Sequence, residues 1–377
     1  MSFLRLSAFT LLAAFAASAN AAPVPAPPSK PVDLVLCLDV SNSMDGLIDS
    51  AKLKLWDIVN ELAKVKPTPN LRVGLYSYGH NGYPKENGWV RKELDLTGDL
   101  DEVYAKLNGL KTGGGTELVA RVTRDALNEQ KWTDEKNALK IIFVCGNEPV
   151  NQDKEVNLSD VAKLAHDKGV IINTIYCGPE SHPEYAGWKA YAVDCNGQGA
   201  FISQDKARQT AIATPFDKDL AELSGKLNTT YLACKSDEKR AANQALQDGN
   251  AGAAAPAAAA ERAVSKANGL YKNGDWCLVE KLQNDPKFDL GTIKEENLPE
   301  ELKKLKPEER MPLLKKKLEE RVEIQKKINE LGAKRAKHIE EETKKQPKDE
   351  KDKALDEALR GTIRAQAKDK GFEVPAK

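Results

Sequence analysis

From residue 31 to residue 234 the chain repeats one pattern: a short, almost wholly apolar run, then a longer segment whose apolar residues recur every three or four positions. The apolar runs are Val32–Leu38, Leu71–Tyr78, Trp89–Leu94, Ala138–Val144, Val170–Tyr176 and Gly199–Ile202. Val32–Leu38 is interrupted only by Asp33, and such continuity marks a strand covered on both faces, as in a parallel sheet. Between the runs, Leu47, Ala51, Leu55, Val59 and Leu62 keep helical spacing. So do Leu100, Val103, Leu107 and Leu110; Leu118, Val122 and Ala126; Val161, Leu164 and Ala165; and Leu220, Leu223 and Leu227. Strands alternating with helices predict an α/β fold, a doubly wound and mostly parallel sheet with helices on both faces.

The two ends read differently. Arg5 precedes an apolar stretch from Leu6 to Ala17, and Ala19-Asn20-Ala21 offers the small residues a signal peptidase reads, so residues 1–21 are expected to be a secretory signal. The run is shorter than the roughly 20 residues that span a bilayer, which points to a secreted or periplasmic protein without a transmembrane segment. Residues 22–30, with Pro23, Pro25, Pro27 and Pro28, read as a stiff spacer. After residue 234 charge takes over: 60 of the last 143 residues are Lys, Arg, Asp or Glu, against 54 of the first 234. Residues 235–260 read as an Ala/Gly-rich linker and residues 261–377 as a charged helical region. Leu270, Tyr271, Trp276 and Leu278 give that region a small apolar element. Leu314, Leu318, Val322, Ile328, Leu331 and Ile339 form a drifting stripe whose heptad register breaks at Asn329 and Gly332. A helix docked by one edge explains the stripe; a coiled coil with a partner helix is the alternative. With 57 basic and 57 acidic residues the chain is formally neutral, which excludes a nucleic-acid binder driven by bulk charge.

Six cysteines occur, Cys37, Cys145, Cys177, Cys195, Cys234 and Cys277. An oxidising compartment permits disulfides, and Cys177 and Cys195, which bracket one loop, are the expected pair. Cys37 and Cys145 sit in apolar strands as small hydrophobes. The absence of Cys-x-x-Cys argues against a thiol redox or zinc site.

The chemistry concentrates at Asp39-Val40-Ser41-Asn42-Ser43, which begins where the first strand ends. Open α/β sheets bind ligands beyond the carboxyl ends of their strands. A carboxylate and two hydroxyls at alternate positions of a tight loop offer hard oxygens to a hard cation such as Mg²⁺. The loop Thr112-Gly113-Gly114-Gly115-Thr116-Glu117 is a second source, since its glycines let backbone approach closely. Thr116 is placed to open a helix, where it could equally serve as its cap.

The stretches VDLVLCLDVSNSMDG, RVGLYSYG, LKTGGGTEL and KIIFVCGNEP occur in the order found in the von Willebrand factor A domain family, which residues 31–234 resemble. The resemblance implies a metal-ion-dependent adhesion site, with Asp39, Ser41, Ser43 and Thr116 as Mg²⁺ ligands and an acidic side chain of a bound protein completing the shell. One departure stands out. Where the family commonly has Thr-Asp-Gly after the fourth strand, this chain has Cys145-Gly146-Asn147, so Asp39 alone stands as formal charge against the +2 ion. Asn147 and Glu148 are the nearby oxygens, and Glu148 is the candidate substitute.

Phosphate-loop, dinucleotide, serine-hydrolase and zinc-protease signatures are all missing from the sequence. Of the scattered histidines His80, His166, His182 and His338, only His80 is placed near the metal face. The expectation is an exported, non-enzymatic protein-binding module with a partial Mg²⁺ site, its helical region serving assembly. The alternatives are an envelope scaffold with an empty site and a metal-dependent hydrolase.

Overall fold

The structure, a computed structural model, describes residues 29–44, 62–202, 212–254, 256–345 and 355–374. The expected signal, most of the spacer and the helix face from Leu47 to Val59 lie outside them.

β1 (Pro31–Asp39) is buried along its whole length, which is why its sequence carries no polar alternation. It pairs in parallel with β2 (Asn70–Tyr78) on one side and with β4 (Leu139–Gly146) on the other. β5 (Ile171–Cys177) and β6 (Gly199–Ile202) continue the parallel run, and β3 (Val90–Thr97) closes the opposite edge antiparallel to β2. The six-stranded order is β3-β2-β1-β4-β5-β6. The order reverses at β1, so the crevice between β1 and β4 lies at the carboxyl end of the sheet, where such folds place ligands. Asp33, buried within β1, is neutralised by a bidentate bond from Arg72.

Helices cover both faces. α1 (Leu100–Gly109) is started by Asp99, whose carboxylate accepts from the Asp101 and Glu102 amides. Its Leu100, Val103, Tyr104 and Leu107 join the core that holds Leu34, Leu36, Leu75 and Phe143. On the other face α2 (Val119–Glu129), α3 (Leu158–Lys168) and α4 (Pro183–Asp194) cover Val35, Cys37, Ile142 and Val144. α2 begins at Val119, so Thr116 stands in the loop before the helix and does not open it. Cys177 packs in the core of the first face and Cys195 in that of the second, so the sheet separates the expected disulfide pair. All six cysteines are buried free thiols.

The remaining described residues are mostly helical: α5 (Asp217–Asn228), α6 (Glu238–Ala254), α7 (Pro256–Ala267), α8 (Leu278–Asn284), the single turn α9 (Glu300–Lys303), α10 (Pro307–Lys345) and α11 (Leu355–Asp369). Most of the stretch read as a linker, residues 235–260, lies in α6 and α7, with Ala257, Ala258 and Ala260 buried. Alanine is the strongest helix former and lets helices pack closely, so low sequence complexity here signals a tight helix contact, not a flexible connection.

α10 lies along α5, α7 and α8, and its buried edge runs through Leu314, Arg321, Ile328 and Arg335. These four residues are spaced by seven. Arginine occupies half of the inner positions, which is why the apolar stripe looks broken in the sequence. Arg321 donates to the Thr230 hydroxyl and carbonyl and lies over the Tyr231 ring. Arg335 pairs with Asp217 at 2.7 Å and with Glu261. Val322, counted with the stripe, faces outward at 47% exposure. The C-terminal segment returns to the α/β layer: Ile363, Ala367 and Phe372 join the first-face core, and the Asn173 and Gln366 amides bond each other.

The helical region also meets the sheet at the amino end of the strands. Arg262 pairs with Asp101, the Tyr271 hydroxyl donates to Asp101, Arg240 pairs with Asp99, and Lys272 donates to Asn70. Asn70 pairs with Pro31, the first residue of β1, whereas Asp39 is the last. Eight residue steps at about 3.3 Å put some 26 Å between that contact and Asp39.

Candidate functional site

β1 ends at Asp39 and the backbone turns at once. Val40 N–H donates to the Tyr78 carbonyl, Ser41 N–H donates to Asp39 Oδ1 at 2.8 Å, and a turn of 3-10 helix follows over Asn42–Met44. Ser41 and Ser43 therefore project from one side, their hydroxyl oxygens 3.1 Å apart. Asn147, just past β4, donates from Nδ2 to Ser43 Oγ at 2.9 Å, so the β1 and β4 loops share this cluster.

The glycine-rich loop is pinned to the same place. Gly113 N–H donates to the Val40 carbonyl. Gly79, at φ +81, permits the approach from the β2 side: a Cβ there would stand 2.9 Å from Asp39 Oδ1 and 3.0 Å from Glu117 Cγ. Only glycine suits both that φ and that gap. His80 rests beside Gly113, stacked on Tyr83, with Nδ1 accepting from Gly82 N–H. Thr116 is half-buried between Gly115 and Glu117, and its hydroxyl has no hydrogen-bond partner among the described residues. Asp39, Ser41 and Ser43 thus form one bonded cluster; Thr116 lies in the adjoining loop without a hydrogen bond to them.

Asp39 is fully buried, and among the described residues its Oδ2 has no hydrogen-bond partner. Burial pushes its carboxyl up to about 7; Glu117 and Glu148 add to the rise, and the Ser41 hydrogen bonds oppose it. Burial also raises Glu117, with Glu148 contributing. Among the described residues no group of three His, Cys, Asp or Glu could hold a metal ion. Any cation here would rest on one carboxylate and neutral oxygens. A buried carboxylate oxygen without a partner among the described residues, beside hydroxyls, fits that role, because a buried charge needs a counter-charge.

Gly146 explains the missing second aspartate. A Cβ on it would lie 2.5 Å from the Tyr78 hydroxyl, 3.0 Å from Trp188 Cη2 and 3.3 Å from Asp39 Oδ2. The Tyr78 hydroxyl is held there by its 2.7 Å bond to the Cys145 carbonyl. Trp188, within the segment that Cys177 and Cys195 bracket, is a buried α4 residue whose Nε1 donates to the Glu148 carbonyl. Sequence reasoning missed Tyr78 as a site residue; its neighbour Gly79 gave no hint of where the ring would point.

Residues 34–148 match the family model of the von Willebrand factor type A domain. Among solved structures, proximal thread matrix protein 1 of the mussel byssus, with a zinc-occupied MIDAS motif, is 14% identical over 47% of this chain and 43% of that one, at a TM-score of 0.37. The VWA domain of SpRpn10 is 17% identical over 49% of this chain and 100% of that one, at 0.35. The pilus adhesin SpaC of Lactobacillus rhamnosus GG is 16% identical over 48% of this chain and 29% of that one, at 0.36. The chain thus spans less than half the length of the mussel protein. No curated protein matches the sequence. The family match over residues 34–148 and the mostly parallel sheet with its reversal at β1 agree: this part of the chain has a fold similar to the von Willebrand factor type A domain.

Proposed function

We propose that the chain is an exported, non-enzymatic protein-binding module that presents a partial divalent-cation site to an acidic group of another protein. The observation that carries this is the buried Asp39 carboxylate, its Oδ2 unpartnered at the carboxyl end of the sheet beside the Ser41 and Ser43 hydroxyls. Asp39, Ser41, Ser43 and Thr116 are the residues that would hold Mg²⁺. Bound there, the ion would offer a positively charged coordination position to a partner's carboxylate. Two features of the chain support the reading. The Lys272–Asn70 contact of the helical region lies about 26 Å away by strand rise. Ser43, Asn42 and Glu148 at the rim are exposed.

Asp39 would supply the single negative charge, so the loaded site keeps a formal surplus of +1 for an acidic partner. Among the described residues no helix is long and apolar enough to cross a membrane. That agrees with a secreted or periplasmic protein, the location argued from residues 1–21.

Thermal unfolding of the wild type and Asp39→Ala, each in millimolar Mg²⁺ and in chelator, tests the proposal. A ligand at 100 times its Kd that binds only the native state adds about 2.7 kcal/mol. The wild type should therefore melt several degrees higher with Mg²⁺ while Asp39→Ala does not respond. Identical wild-type curves under both conditions would leave a scaffold without a working site.

A further inference from the structure

Among the described residues three buried side-chain oxygens have no hydrogen-bond partner: Asp39 Oδ2, Asp101 Oδ1 and Asn147 Oδ1. Asp101 Oδ1 faces the Arg262 guanidinium at 2.5 Å, and the carboxylate's other oxygen accepts from the Tyr271 hydroxyl. The remaining two belong to one bonded cluster: Asn147 Nδ2 donates to Ser43 Oγ, which contacts Ser41 Oγ, and Ser41 N–H donates to Asp39 Oδ1. A buried polar atom left without a partner is costly, and two in one place call for a shared explanation.

Resting on the cation reading of this site, we propose that the amide oxygen of Asn147 is a further ligand of the divalent ion, in place of the carboxylate that Gly146 cannot carry. Three contacts argue for it. Nδ2 of Asn147 is committed to Ser43 Oγ, which in turn contacts Ser41 Oγ, so the amide is oriented by the two serines that belong to the site. Its oxygen is then left as the free acceptor, turned away from solvent. At Gly146 itself the Tyr78 hydroxyl and the Trp188 ring fill the space that an aspartate side chain needs. Glu148, the substitute suggested by sequence, is exposed, and its backbone carbonyl is engaged by Trp188. An amide oxygen is a regular ligand for hard cations. Being neutral, it leaves the net charge of the site to Asp39 and so keeps the loaded site attractive to an acidic partner.

Mn²⁺ binding to the full chain, followed by electron paramagnetic resonance of the free ion, separates the possibilities. Asn147→Ala should weaken Mn²⁺ by about tenfold or more, in the range seen when a supporting group of a metal site is lost. Asn147→Asp, which restores a carboxylate one position along, should tighten it by a similar factor, and Glu148→Gln should change it less than about threefold. Because Asn147→Ala also loses the bond to Ser43, its urea midpoint is measured alongside, and Asn147→Asp gives an answer that does not depend on that bond. Asn147→Ala binding as the wild type does, or Glu148→Gln losing as much as Asn147→Ala, overturns the assignment. If Asp39→Ala abolishes binding in the same series, the cation reading survives that failure. Absence of any wild-type binding removes both.

Discussion

Replacing Gly146 by alanine adds one methyl group at the crevice between β1 and β4, and two opposing effects decide the outcome. Gly146 does not use a left-handed φ, so alanine there should gain about 0.4–1 kcal/mol by restricting the unfolded chain. Against this, its Cβ would sit 2.5 Å from the Tyr78 hydroxyl and 3.0 Å from Trp188 Cη2. Both rings are fully buried, and the hydroxyl is fixed by its bond to the Cys145 carbonyl. Overpacking of a closed core costs about 1–3 kcal/mol. The steric cost wins, and Gly146→Ala should lose about 1–2 kcal/mol in urea unfolding. Tyr78→Phe alone should lose about 1–3 kcal/mol, since the buried Cys145 carbonyl forfeits its donor. It also removes the atom that alanine would strike, so Gly146→Ala should be near neutral in that background. The double-mutant cycle then yields a favourable coupling of about 1–2 kcal/mol. A Gly146→Ala protein as stable as the wild type, or one equally destabilised in both backgrounds, would refute the claim that Tyr78 excludes a side chain at 146.

Four further outcomes follow from the helical region. Burial, opposed by Asp248, lowers Lys266 to about 8, with Arg262 and Asp101 also facing it. The unfolded chain holds this proton up to about pH 10.4. The folded state therefore bears the penalty fully below pH 8 and is relieved of it as pH rises from 8 to 10.4, a gain of about 3 kcal/mol. Urea unfolding across that window should show the rise in the wild type and lack it in Lys266→Met. Arg335→Ala, which leaves buried Asp217 without its guanidinium, should cost about 3–5 kcal/mol. Lys337→Ala, 79% exposed in a long contact with Glu341, should cost less than about 0.5 kcal/mol by the same assay. Deleting residues 355–377 uncovers the core against Ile363 and Phe372. At about 1.5–3 kcal/mol for each side chain, that loss should appear as faster proteolysis within the α/β layer.

What the sequence conveys depends on which residues do the packing. The sheet was legible because its central strands are buried on both faces, so Val32–Leu38 and Ala138–Val144 leave little choice but a parallel interior. Asp39, Ser41 and Ser43 were legible because alternate positions of one turn meet without help from distant chain. The seam of α10 was obscured, because Arg321 and Arg335 occupy inner positions that a hydrophobicity count scores as solvent. Alanine hid the α6–α7 contact, since its small apolar side chain signals neither exposure nor burial. The return of Ile363 and Phe372 to the sheet, and the meeting of Asn147 with Ser43, join residues far apart in sequence, for which one chain carries no periodic signal.

Isothermal titration of Mg²⁺ into the wild-type chain and into Asp39→Ala at pH 8 reads the proposed site without reference to any partner. One saturable site per wild-type chain, absent from Asp39→Ala, is the expected result. No saturable binding to the wild type, or equal binding to the two proteins, would contradict it.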